Sequence, residues 1–102
     1  MQKRKGVIQL MNIPQIISID EALRIYYTYS EIGNKEILSL FGRISSATTA
    51  KLKGLVKNEM IKRNELSYGV YKVKTRTAFS VWGIDFDELE KRRKKLNDLN
   101  LQ

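Results

Sequence analysis

The sequence contains no cysteine and no histidine. Without cysteine there is no disulfide and no thiolate metal site. Without histidine, the commonest metal ligand and the commonest general base are both missing, which leaves carboxylates as the acid–base candidates. We therefore expect a protein that is not an enzyme and that holds neither metal nor cofactor. Long apolar runs are missing too. The longest is Ile25-Tyr26-Tyr27, far short of the roughly 20 residues that a membrane helix needs. The opening "MQKRKGVIQLMNIPQII" has the basic start of a secretory signal, but Gln9, Asn12 and Gln15 interrupt its apolar stretch and no small-residue cleavage pattern follows. The expectation is a cytoplasmic protein with no membrane partner.

What the chain has in excess is positive charge. Its 102 residues carry 19 lysines and arginines against 11 acids, for a net charge of +8, and a hydrophobic fraction of 42%. That fraction and length suit one folded domain with a modest core. The charge is unevenly placed: +3 over residues 1–5, −2 over 6–42, +7 over 43–76 and zero over 77–102. A field concentrated in one third of the chain is what a surface meeting a polyanion needs. Charge serving solubility alone would be spread more evenly.

Residues 1–17 read as a basic arm containing Lys3-Arg4-Lys5 and Pro14, which either reaches nucleic acid or is a charged terminus. Ser18 and Glu21 then match a capping box, which satisfies free N–H groups at a helix start. The first helix is expected from about Ile19 to about Glu31, ended by Gly33. Asn34 is placed to cap a short second helix, "KEILSLF". Gly42 gives a turn, and Ser45 can cap a third helix running to about Met60–Arg63. At 100° per residue, Thr48, Leu52, Leu55, Val56 and Glu59 form its inner side. Ser46, Ala47, Ala50, Lys53, Gly54 and Lys57 lie opposite. "VYKVKTRTAFSVW" then alternates, which predicts a hairpin with its tip near Lys74-Thr75-Arg76 and a returning strand Thr77–Trp82. Asp85 and Glu88 repeat the capping pattern before a helix whose inner line is Phe86, Leu89, Arg93, Leu96 and Leu99 or Asn100. The acids Asp85, Asp87, Glu88 and Glu90 are best explained as favourable charge at that helix start, not as a cation or catalytic site.

"KEILSLFGRISSATTAKLKGLVKNEMIKR" has a short helix, a glycine turn, the Ile44-Ser45 pair, small and hydroxylated residues opening the next helix, and the apolar pair Met60-Ile61. It resembles the core of the winged helix-turn-helix superfamily and is similar to MarR-like regulators and small phage or plasmid DNA-binding proteins. The resemblance covers residues 18–84 and departs at Glu59, where the pattern has glycine. It implies a mainly α fold with a three-helix core and a small β-hairpin as wing; the C-terminal helix over residues 85–102 lies beyond it and is expected to be a dimerisation element, because its narrow apolar line must cover something. The resemblance also implies that the third helix enters the major groove of double-stranded DNA, N-terminal residues nearest the bases. Arg43, Ser45, Ser46, Ala47, Thr49, Ala50, Lys51, Lys53 and Lys57 are then the candidate contacts, with Lys72, Lys74 and Arg76 on the wing. Small residues let the backbone approach, and lysine donates to guanine O6 and N7.

Each reading has a plainer rival. Ala50 and Gly54 would also admit another protein helix, and the Lys72/Lys74/Arg76 face would also protect an edge strand from aggregation, but the basic residues flanking the third helix favour DNA in both cases. Tyr26, Tyr27 and Tyr29 suggest a stacking platform for single strands, yet side chains so close together on a helix point several ways. The expected function is a homodimeric, sequence-specific DNA-binding transcriptional regulator. The alternatives are a replication, partition or transfer accessory protein of a mobile element, and a protein-interaction domain without DNA contact. The sequence leaves target site, sign of regulation and any small-molecule effector open.

Overall fold

A computed structural model describes residues 13–100, so Lys3-Arg4-Lys5 lie outside the described residues. The first helix, α1 (Ile19–Thr28), starts at the expected Ser18 cap. The Ser18 hydroxyl accepts from the Glu21 N–H at 3.2 Å, while the Glu21 carboxylate turns to Arg24 at 2.6 Å instead of closing the box. The helix ends at Thr28, earlier than expected, because Tyr29 is extended and leads into a short strand, β1 (Glu31–Ile32). In α2 (Asn34–Phe41) the cap is Gly33 and not Asn34, with the Glu36 carboxylate accepting from the Gly33 N–H at 2.8 Å.

Gly42 makes the turn to the next helix with φ +82, and a Cβ there would sit 3.2 Å from the Ile17 Cγ2. Backbone and space both call for glycine. Ser45 caps α3 (Ser46–Lys62), its hydroxyl accepting from the Thr48 N–H at 3.0 Å. The buried line of α3 is Thr49, Leu52, Val56 and Met60. Relative to the expected inner side it is rotated by about one residue, away from Thr48 and Glu59. The helix closes on Asn64, whose φ is 60, with the Glu65 N–H donating to the Met60 carbonyl at 2.8 Å and the Asn64 N–H to Ile61 at 3.1 Å. These two bonds are a Schellman closure.

The expected small antiparallel pair of strands is present, and its second member lies where the first strand of the hairpin was expected, but its partner is another segment. Strand β2 (Val73–Lys74) pairs with β1, Glu31 opposite Lys74 and Ile32 opposite Val73. The expected returning strand Thr77–Trp82 is instead a helix, α4 (Thr75–Val81), capped at its end by Trp82. The physical reason lies in two overlapping periods. Tyr71, Val73 and Thr75 alternate, but Thr75, Ala78, Phe79 and Trp82 fall at i, i+3, i+4 and i+7, and all four are buried. Burial of that helical face outweighs the strand preference of the β-branched threonines.

The last helix, α5 (Phe86–Asn100), starts at Asp85, whose carboxylate accepts from the Asp87 and Glu88 N–H groups at 3.0 and 3.3 Å. Its first turns cover α1. Phe86 stacks on Tyr26 with ring centroids 4.4 Å apart, Leu89 is buried, and Arg93 pairs with Asp20 at 2.8 Å. Leu96 and Leu99 have no such cover and are 51% and 64% exposed. The core gathers Ile25, Ile37, Leu40, Leu52, Val56, Val73 and Phe79 from α1–α4 and β2. Among the described residues no helix is long and apolar enough to cross a membrane.

Candidate nucleic-acid interface

Helix α3 is fixed before anything meets it. Leu52 and Val56 are fully buried, and the Trp82 indole N–H donates to the Leu52 carbonyl at 3.1 Å in the interior. One face is thereby anchored, and Ser46, Ala47, Ala50, Lys51 and Lys57 are left exposed on the rest of the surface, with Lys53 and Gly54 half-buried. Among the described residues Gly54 has no structural neighbour that requires it: a Cβ there would meet nothing within 4 Å. A glycine in a helix interior costs about 1 kcal/mol against alanine, and the fold itself gains nothing in return.

Between α2 and α3 runs an open groove of about 390 Å³, whose walls include Asn34, Leu38, Ile44, Ala50, Lys53 and Gly54. The Lys53 ammonium donates to the Asn34 Oδ1 at 3.1 Å across it. Burial, and then the nearby Lys57 charge, holds its pKa below the ordinary lysine value. Among the described residues, Arg43, Lys51, Lys53 and Lys57 have no carboxylate partner, and the ion pairs are made by other side chains. The face thus carries uncompensated positive charge around a floor of small and apolar groups.

The candidate residues separate into three sets. Arg43, Ser46, Ala47, Ala50, Lys51, Lys53 and Lys57 lie along α3 and the turn that precedes it. Ser45 and Thr49 are occupied structurally. The Ser45 hydroxyl caps the helix, and Thr49 is buried with its hydroxyl donating to the Ser45 carbonyl at 3.0 Å. Thr49 still lines the groove beside Ala50 and Lys53, but with its hydroxyl used inside the helix. Lys72, Lys74 and Arg76 do not share a hairpin face. Lys72 is exposed and packs its Cγ near the Gly33 backbone, where a Cβ would approach it to 3.5 Å. Lys74 turns to Glu31 at 3.6 Å and to the Tyr68 ring at 5.1 Å. Arg76 lies over Tyr26 at 5.8 Å. Lys74 and Arg76 line a second cleft of about 840 Å³ with Tyr26, Tyr29 and Tyr68. The tyrosines of α1 divide accordingly. Tyr26 is half-buried against Phe86 and Phe79, and Tyr27 donates to Glu90 at 2.9 Å.

Three contributors were not foreseen. Asn34, freed from capping by Gly33, meets Lys53, and Leu38 forms the opposite wall, 44% exposed. Glu31 pins the segment 64–72 by accepting from the Tyr68 and Gly69 N–H groups at 2.6 and 2.9 Å. Burial alone would raise the pKa of this carboxyl; the Gly69 and Tyr68 N–H groups and Lys74 outweigh it and hold it below the ordinary value. Leu38 had a sequence signal, as an apolar residue beside the buried Ile37, whereas Glu31 had none.

No protein-family model, curated protein or solved structure matches the chain.

Proposed function

We propose that the chain is a sequence-specific double-stranded DNA-binding protein of the winged helix-turn-helix type, acting as a homodimer in the cytoplasm to regulate transcription. One observation carries the reading: the outer face of α3 combines Ala47, Ala50 and an otherwise unneeded Gly54 with the unpaired cations Lys51, Lys53 and Lys57. Small side chains let a helix backbone approach base edges, and the flanking lysines meet guanine acceptors or phosphates. In the free protein Lys53 is desolvated and repelled by Lys57. A phosphate at the groove would favour the charged form of Lys53 and offset the repulsion from Lys57.

Dimerisation fits the uncovered half of α5. Phe86 and Leu89 are used within the chain, which leaves Leu96 and Leu99 as the apolar surface for a second protomer. Paired half-sites about one helical turn apart give the specificity that a single short helix lacks. The same surface serves equally a replication, partition or transfer protein of a mobile element, and genome neighbourhood separates these roles.

One observation favours a second reading, a protein-interaction domain without DNA contact. The groove beside α3 is walled by Leu38, Ile44 and Ala50, which would suit an apolar side chain of a partner helix. Titration of duplex DNA against salt decides between them. With about four phosphates neutralised per protomer, log K for a dimer falls against log salt with a slope of about −7. Affinity that is flat from low to physiological salt, or no affinity, overturns the DNA reading.

A further inference from the structure

Among the described residues, Arg43, Lys51, Lys53 and Lys57 have no carboxylate partner, yet one of them is held in place. Arg43, Lys51 and Lys57 are exposed, whereas Lys53 is half-buried and donates to the Asn34 Oδ1 at 3.1 Å, from α3 across the groove to α2. Fixing a lysine costs rotamer freedom, and burying its ammonium costs hydration. The depressed Lys53 pKa, caused first by burial and then by Lys57, reflects the second cost.

The fold does not use Asn34 as a cap. Gly33 is the N-cap of α2, and its N–H is satisfied by the Glu36 carboxylate at 2.8 Å. The Asn34 side chain is free to meet Lys53, and its chemistry matters there. A carboxylate at this place would favour the helix start and grip the ammonium more firmly, but it would also cancel the charge. The amide oxygen orients the ammonium and leaves its charge intact. Among the described residues no acid lines the groove.

An ammonium has three N–H donors. Asn34 takes one of them, which leaves two for a ligand. On the major-groove edge guanine presents two acceptors, O6 and N7, side by side. Adenine pairs its one acceptor with a donor, thymine has one acceptor beside a methyl group, and cytosine has a donor. A held ammonium with two free donors matches guanine best. Ala50 and Gly54, on the walls of the same groove, leave room for the base edge.

We infer that Lys53 and Asn34 form one guanine-reading unit spanning α3 and α2, in which Lys53 donates to O6 and N7 of a single guanine and Asn34 is its positioning residue. The unit presupposes the DNA-binding reading and deepens it, naming the base that is read and a specificity residue on α2.

The test uses the full chain on a duplex selected by it. Each guanine–cytosine pair is replaced in turn by adenine–thymine, and each guanine separately by 7-deazaguanine, which lacks the N7 acceptor. Fluorescence anisotropy reads the affinity. The expected result is one guanine at which both replacements weaken wild-type binding, the pair exchange by about 5- to 150-fold. Lys53→Ala and Asn34→Ala each erase the preference at that position and at no other, and the double variant loses no more than Lys53→Ala alone. Asn34→Asp separates positioning from a structural role. A carboxylate in the first turn of α2 suits the helix dipole, so Tm is kept, while the guanine preference is lost because the Lys53 charge is cancelled. Guanine preference retained by Asn34→Ala or by Asn34→Asp overturns the unit and leaves the DNA reading intact. So does a selected site with no such guanine, or a change at a position that Lys53→Ala leaves untouched. Absence of any duplex binding overturns both readings together.

Discussion

Gly54→Ala should make the protein more stable and a poorer binder. In the described structure an added Cβ at Gly54 meets no atom within 4 Å, so the methyl creates no overlap. The helix-propensity difference is then available in full, about 0.8–1.0 kcal/mol. In a domain of this size such a gain raises Tm by roughly 4–8 °C. The same methyl projects into the groove beside Lys53 and Ala50. If the α3 backbone approaches base edges there, the methyl displaces it and a contact worth about 1–3 kcal/mol is lost, roughly 5- to 150-fold in affinity. Thermal unfolding followed by circular dichroism measures the first effect, and fluorescence anisotropy on a labelled duplex the second. Stabilisation with unchanged affinity would refute close approach at this position. A loss of stability would refute the open space on which the reasoning stands.

Lys51→Ala and Lys53→Ala should each cost about 1–3 kcal/mol on a selected site and relax preference at one position, whereas Arg76→Ala, which faces the second cleft, should leave base preference unchanged; a substitution series on the duplex distinguishes them. Glu31 has a folded pKa below its ordinary value of 4.5, so its stabilisation of the loop is complete above about that value and is lost as pH falls through the lower folded one. Amide exchange at Tyr68 and Gly69, corrected for its intrinsic pH dependence, should lose protection in that acid window. Glu31→Gln should lose about 1.5–3 kcal/mol at neutral pH, the worth of one charge-assisted hydrogen bond, as read by denaturant unfolding. Leu96→Glu with Leu99→Glu should leave the circular dichroism of the folded chain unchanged, since both side chains are exposed, and should give a monomer by sedimentation at tens of micromolar; a variant that stays dimeric moves the interface away from α5.

The third helix was legible because its signals are local and agree. Ser45 supplies the cap, Gly42 the turn, and Leu52 and Val56 the buried spacing. The rotation that buries Thr49 and Met60 was not legible, since it depends on how α4 brings Trp82 against the Leu52 carbonyl. Strand β1 escaped because two residues show no period, and its partner Lys74 lies far along the chain. Helix α4 was misread because its threonines alternate like a strand while also lying on a helical face, and only tertiary burial separates the two patterns. The division of Lys72 from Lys74 and Arg76 follows from that misreading, because a helix starting at Thr75 turns its first residues away from the strand's face. Glu31 shows the remaining limit: its role exists only once the loop it clamps has been brought to it.

Selection of bound sites from a pool of random duplexes tests the central claim most directly. The account predicts enrichment of one sequence, arranged as two related half-sites centred about 10 base pairs apart, and loss of that enrichment when Lys51 and Lys53 are both changed to alanine. A pool that stays unenriched through successive rounds would contradict sequence-specific DNA binding, as would identical enrichment by the double variant.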